Sequence, residues 1–153
     1  MKRLFYAFNI SRQSFISLGV SVADTPLTRL RGLLGKVRLR SDEAIWVVPS
    51  HGVHTVGLLF PIDLIYLDEQ LRVVDLVESL GPLRIAPLRW QCASVLELPA
   101  KSIFGSGTEI GDRLLIVSPE EMDAYWASQR PEGQPEQRQA QQPDPPPALR
   151  RAV

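Results

Sequence analysis

The chain of 153 residues is 44% hydrophobic and 22% charged, with seventeen basic and seventeen acidic side chains, which excludes a collagen, a disulfide-rich toxin and a wholly disordered chain. Its length suits one domain with a real core, and its single cysteine, Cys92, forms no internal disulfide and fits a reducing compartment. The zero net charge is unevenly spread: residues 1–40 hold eight basic groups against one acid, residues 41–127 five against thirteen, and residues 128–153 four against three. Basic and acidic faces attracting each other within one fold is the simpler explanation, and an anionic partner on the N-terminal third is the sharper one. The basic residues share no helix face and are not interleaved with aromatics, which argues against nucleic acid as a partner.

Residues 4–9 form the first expected strand. As a signal peptide the apolar stretch 4–10 fails, because Asn9 interrupts it and Ser11-Arg12-Gln13 ends it. No apolar run reaches the roughly 18 residues needed to span a bilayer, so the expected location is cytoplasmic. A second strand covers residues 18–23. Thr25 then caps an expected helix with Pro26 at its first position, Leu27, Leu30 and Leu34 on one face, and Gly35 as terminator. Residues 44–48, apolar and β-branched and stopped by Pro49, read as a buried strand. Residues 53–59 and 62–67 follow as strands, parted at Phe60-Pro61 where proline removes a ladder donor. Asp68-Glu69-Gln70 makes a turn into a strand over residues 71–78, paired with the strand before it. Residues 93–98 and 113–117 complete the set, with Gly105-Ser106-Gly107 as a turn between them. Ser118-Pro119-Glu120-Glu121 is a capping box that opens a second helix, with Met122, Tyr125 and Trp126 facing the sheet.

From residue 128 the chain is rich in Pro and Gln and too poor in aliphatic residues to offset the entropy of ordering it. The sequence thus predicts one globular domain over residues 1–127 and a disordered tail over 128–153. In that tail Pro143-Asp144-Pro145-Pro146-Pro147 favours polyproline II and suits a polyproline-recognising partner, an inert solvated tail being the plainer reading. The predicted fold class is α+β, mainly antiparallel β, as a small barrel or sandwich-like sheet with two short helices.

Four ordered motifs carry a resemblance. They are Val22-Ala23-Asp24-Thr25 with Arg29-Leu30-Arg31-Gly32-Leu33-Leu34-Gly35, the run from His54-Thr55-Val56-Gly57 through Phe60-Pro61-Ile62-Asp63 to Asp68, Val95-Leu96-Glu97-Leu98-Pro99-Ala100, and Gly111-Asp112-Arg113-Leu114. Together they resemble domain-of-unknown-function family 192, uncharacterised bacterial and archaeal proteins, over about residues 4–117. The resemblance implies a small β-rich domain with short helices and brings no activity with it. It also marks three departures: Ser50 where many members have Cys, Leu59 where a basic residue often stands, and Lys101 in place of the usual Gly.

His51 and His54 are the only histidines, no CxxC or HExxH spacing occurs, and no GxGxxG or phosphate-loop lysine is present, so neither a metal nor a cofactor is expected. Asp63, among Ile62, Leu64 and Ile65, needs a partner, either Arg31 or backbone amides. The candidate ligand-binding residues are Arg31, His54, Thr55, Asp63 and Glu97, lining a cleft between the His54-Thr55 and Leu96-Glu97 segments; no catalytic residue is assigned. Two functions stay open. One is a non-enzymatic accessory domain binding a small ligand or a partner protein; the other is a small hydrolase or lyase using His54 with Asp63 or Glu97, since a carboxylate beside imidazole fixes its tautomer and raises its pKa.

Overall fold

The computed structural model describes residues 4–25, 28, 33, 36 and 38–130. Seven strands make one sheet: β1 Phe5–Asn9, β2 Ser14–Ala23, β3 Glu43–Val47, β4 Ile62–Leu67, β5 Val73–Leu80, β6 Ser94–Pro99 and β7 Leu114–Val117. Two helices are described, α1 Ser102–Ser106 and α2 Pro119–Gln129. The strand order is β5-β4-β6-β3-β2-β1-β7. All neighbours are antiparallel except β2 and β3, which run parallel and therefore need the long crossover of residues 24–42.

The two edge strands meet at one end. The Val73 amide donates to Asp112 O (2.8 Å), Gly111 N to Val73 O (2.8 Å) and Leu114 N to Leu71 O (2.9 Å). The sheet is thereby curled into a barrel-like α+β fold, removing part of the open edge that a flat sheet would expose. One apolar cluster draws on every strand, with Ala7, Val20, Ala44, Ile65, Val73, Leu96 and Leu114 among its members, and fills the concave side. A second covers the outer side of β3, β4 and β6, where Ile45, Val47, Ile62, Leu64, Tyr66 and Val95 meet Leu33, Leu39, Leu58 and Ala86 from the covering segments. Alternation along each strand feeds both clusters, which is why β4 is buried at every position.

Several expectations change on the structure. Residues 53–59 are not a strand: they join residues 81–86 as an irregular ribbon with one bridge, His54 to Ile85. Gly57, at a φ of +88°, turns the chain where a ladder would have continued. Gly105 and Ser106, read as part of a turn, end a short helix instead: residues 102–106 form α1, closed by Gly107 in the left-handed region. The second strand begins four residues earlier than expected, at Ser14. In the expected helix of residues 25–35, Thr28 N donates to Thr25 Oγ1 (3.1 Å) and Thr25 N to Thr28 Oγ1 (2.9 Å), as a capping residue would arrange. Leu33 is buried; Leu30, Leu34 and Gly35 lie outside the described residues, as does the tail from 131 onward. The capping box at Ser118 forms in full, and Trp126 packs edge-on against Phe8 at 5.2 Å.

Candidate functional site

Asp63 is fully buried in β4 and points to the concave side, its strand partner Leu98 and its neighbour Ile65 facing the same way. Both carboxylate oxygens are occupied by backbone: Oδ1 accepts from Ser79 N (2.9 Å) and Oδ2 from Ile103 N (3.0 Å). The β4–β5 pairing slips between Ile62 and Leu64, and Ser79 there has a φ of +51°. The slip frees the Ser79 amide from the ladder and Asp63 receives it. Ile103 lies in the first turn of α1, so the same side chain caps that helix from across the fold. Of the two partners read for Asp63, backbone amides are the ones present; Arg31 lies outside the described residues.

Glu97 occupies the opposite face of the sheet. It pairs with Ile45 on β3 and Leu64 on β4, in line with Val95 on the outer side, and is only 6% exposed. Its Oε2 has no hydrogen-bond partner. Burial alone pushes the carboxyl from 4.5 up to about 7, because a charge surrounded by aliphatic side chains is poorly solvated. The sheet therefore separates Asp63 from Glu97.

Thr55 and His54 sit on the ribbon. Thr55 is fully buried and acts as its clasp: Oγ1 donates to Gly81 O (2.6 Å) and accepts from Arg84 N (2.9 Å), while Thr55 N donates to Arg84 O (2.8 Å). His54 is exposed, and its backbone bridges to Ile85. Thr55 and Glu97, the two polar residues read as facing a cleft between the His54-Thr55 and Leu96-Glu97 segments, are both buried. Among the described residues no three His, Cys, Asp or Glu side chains gather as metal ligands.

The ribbon carries what the sequence reading missed. Ala86 N donates to Val53 O (2.9 Å) and Arg89 N to His51 O (2.8 Å), extending the pairing past Thr55. Tyr66 donates its hydroxyl to Pro87 O (2.9 Å), and Cys92 donates its thiol to Ser94 O (2.9 Å). With Val53, Thr55 and Ala86 turned inward, the bridged pair His54 and Ile85 turns outward. Leu83 is 73%, Ile85 80% and Trp90 78% exposed, with Val56, Leu59 and Leu88 also open to solvent. A signal was present in the sequence: Leu83, Ile85, Leu88 and Trp90 lie in a segment with Pro82 and Pro87, which cannot be a central strand, so large apolar residues there have no sheet to enter.

A second missed cluster seals the β1–β2 turn. Buried Asn9 donates to Asp112 Oδ2 (2.9 Å) and Thr108 Oγ1 (3.2 Å), and Arg12 Nε donates to the same carboxylate (3.0 Å). Burial opposes the ionisation of Asp112, but hydrogen bonds from Asn9, the Glu109 amide and Arg12 outweigh it and hold the carboxyl below its usual range. Its groups satisfy one another, so it fastens the fold.

Fold and site together define a small α+β domain: a curled seven-stranded sheet whose outer face is covered by a tied loop ribbon. Among the described residues no helix is long and apolar enough to cross a membrane. The chain belongs to domain-of-unknown-function family 192, described as an uncharacterised ACR, whose pattern matches residues 8–116. No curated protein matches it. Two crystal structures share the fold. One, from Sinorhizobium meliloti 1021 and described as a candidate transcription regulator, is 22% identical with a TM-score of 0.63, over 73% of this chain and 91% of that one. The other, a protein of unknown function from Novosphingobium aromaticivorans DSM 12444, is 18% identical with a TM-score of 0.62, over 72% and 82% of the two chains.

Proposed function

We propose that this chain is a non-enzymatic binding domain that holds a partner protein on the outward face of its ribbon, residues 51–60 and 81–91. The observation that carries the reading is the grouping of Val56, Leu83, Ile85, Leu88 and Trp90 on a frame already fixed by Thr55, Tyr66 and backbone bonds. Scattered exposed apolar residues are ordinary, whereas a grouped set on an ordered surface marks a contact site. A frame tied in advance also avoids much of the ordering cost of association.

The hydrolase or lyase alternative needs His54 beside a carboxylate. Asp63 is spent on two amides inside the barrel and Glu97 is sealed on the other face; His54 faces solvent. A cytoplasmic location belongs to the same proposal and is supported by the unpaired, buried thiol of Cys92. Peptides selected from a random display library on the full chain test the reading, with Ile85→Asp as the comparison. The expected outcome is a loss of about tenfold or more in affinity, the scale of a central interface contact, with an unchanged circular dichroism spectrum. Selected peptides that bind both proteins equally would refute it.

A further inference from the structure

The geometry points to an occupant of defined chemistry for this face: an extended segment of a partner protein carrying one bulky apolar anchor with carboxylates within about five residues of it. The inference rests on the docking reading above and adds what is docked. Its first support is a pocket of about 270 Å³ lined by Val74, Leu88, Arg89, Trp90 and Gln91, at the ribbon end where Arg89 is tied to His51. That volume falls just below the roughly 300–1,000 Å³ of small-molecule sites and suits a single side chain. Its walls are set before anything binds. Arg89 is ion-paired with Asp75 and its guanidinium lies 6.0 Å from the Tyr66 ring centre; Trp90 leans on the His51 ring at 5.4 Å. Trp, Tyr and Arg are the residue types that concentrate binding energy in interface pockets.

The second support is charge. Residues 41–127 hold thirteen acids, yet none falls in residues 44–62 or 79–96, the stretches that contain both arms of the ribbon. Asp75, the acid bordering the pocket, is already paired by Arg89. Arg84, five residues from Arg89, is exposed, and among the described residues its guanidinium has no partner. An exposed guanidinium on an apolar ribbon whose own two arms carry no acid selects a carboxylate, which it holds through two hydrogen bonds. Five residues of extended chain span at most about 17 Å, which sets the reach between the anchor in the pocket and the carboxylate on Arg84.

Display selection with the full chain as bait, followed by affinity measurement on the synthesised peptides, tests this. Enriched peptides should share an aromatic or long aliphatic residue with Asp or Glu within five positions. Their affinity should fall about tenfold with Trp90→Ala and about fivefold with Arg84→Glu, magnitudes in the range of interface hot-spot and charge-pair losses, and should weaken as salt is raised. Enriched peptides that are apolar or basic, and that depend on Ile85 but not on Trp90 or Arg84, would overturn the assigned occupant while leaving the docking face standing. Peptides indifferent to Ile85→Asp would overturn both. Self-association of the protein that Ile85→Asp abolishes, with no peptide enriched, would make the occupant a second copy of this chain and would equally overturn the assignment.

Discussion

Raising the pH from 5 to 8 should weaken the fold through Glu97, and Glu97→Gln should abolish that dependence. Burial lifts this carboxyl from 4.5 to about 7, so between those values the folded chain keeps a proton that the unfolded chain has released. Its stability contribution is therefore complete below about pH 4.5, declines as the pH rises toward 7, and stays lost above it. Each tenfold displacement of an ionisation equilibrium is worth about 1.4 kcal/mol, which gives a loss of roughly 3 kcal/mol across the window. For a domain of this size that lowers Tm by on the order of 10 °C. Glu43 and Asp112, held below their usual range by their hydrogen bonds and ion pairs, lose their contributions only as the pH falls below about 4, outside the range measured. A glutamine side chain in place of the Glu97 carboxyl would leave a buried amide without partners at a cost of about 1–3 kcal/mol, so Glu97→Gln should be the less stable protein at pH 5 and close to wild type at pH 8. Urea unfolding of both proteins at unit pH steps reads this directly. Parallel stability curves for the two would refute the reasoning.

Asp63→Ala strips the Ser79 and Ile103 amides of their acceptor and should cost about 3 kcal/mol or more, since a buried donor left unpaired carries its full desolvation penalty; hydrogen exchange should quicken first at residues 79 and 103, and uniform protection across both would count against the capping role. Lys101→Gly should raise stability by about 0.5–1 kcal/mol, because Lys101 holds a φ of +73° before α1 that a side chain disfavours and glycine does not; a drop in Tm would show that the Lys101 side chain contributes more than its backbone strain takes away.

Strands with strong local patterns were legible. Residues 62–67 match β4 end to end, and the Ser118 box opens α2 as its residue types demand. What was illegible depends on partners distant in sequence. α1 has only five residues and no side-chain cap of its own; the acceptor for its first turn comes from Asp63, forty residues earlier. Residues 53–59 have strand-like composition, but their bonds go to Gly81, Arg84 and Ala86 as a clasp, and no local periodicity encodes that. That Asp63 and Glu97 do not meet has a related reason. Asp63 and Glu97 are polar residues in apolar strands, which marks both as unusual, but which face each one takes follows from register, and register places them on opposite sides of the sheet. The Lys101 departure was legible as a missing glycine, and its left-handed backbone shows why glycine suits that position.

The position of β1 between β2 and β7 has a consequence for how the chain comes into being. β1 finds β2 at once, across a short turn, but its other partner is the last strand, with Tyr6 opposite Val117 and Asn9 opposite Leu114. During synthesis the first strand is thus made more than a hundred residues before its second neighbour exists. The seam between Leu71-Val73 and Gly111-Leu114 waits on the same segment. Pairing between such distant parts of a chain is slow, because the intervening loop must lose its freedom before any contact rewards it. A ribosome stalled with β7 still inside its tunnel would hold a nascent chain with the β1 edge unpaired and the concave apolar face open, and release of those few residues would close both in one step.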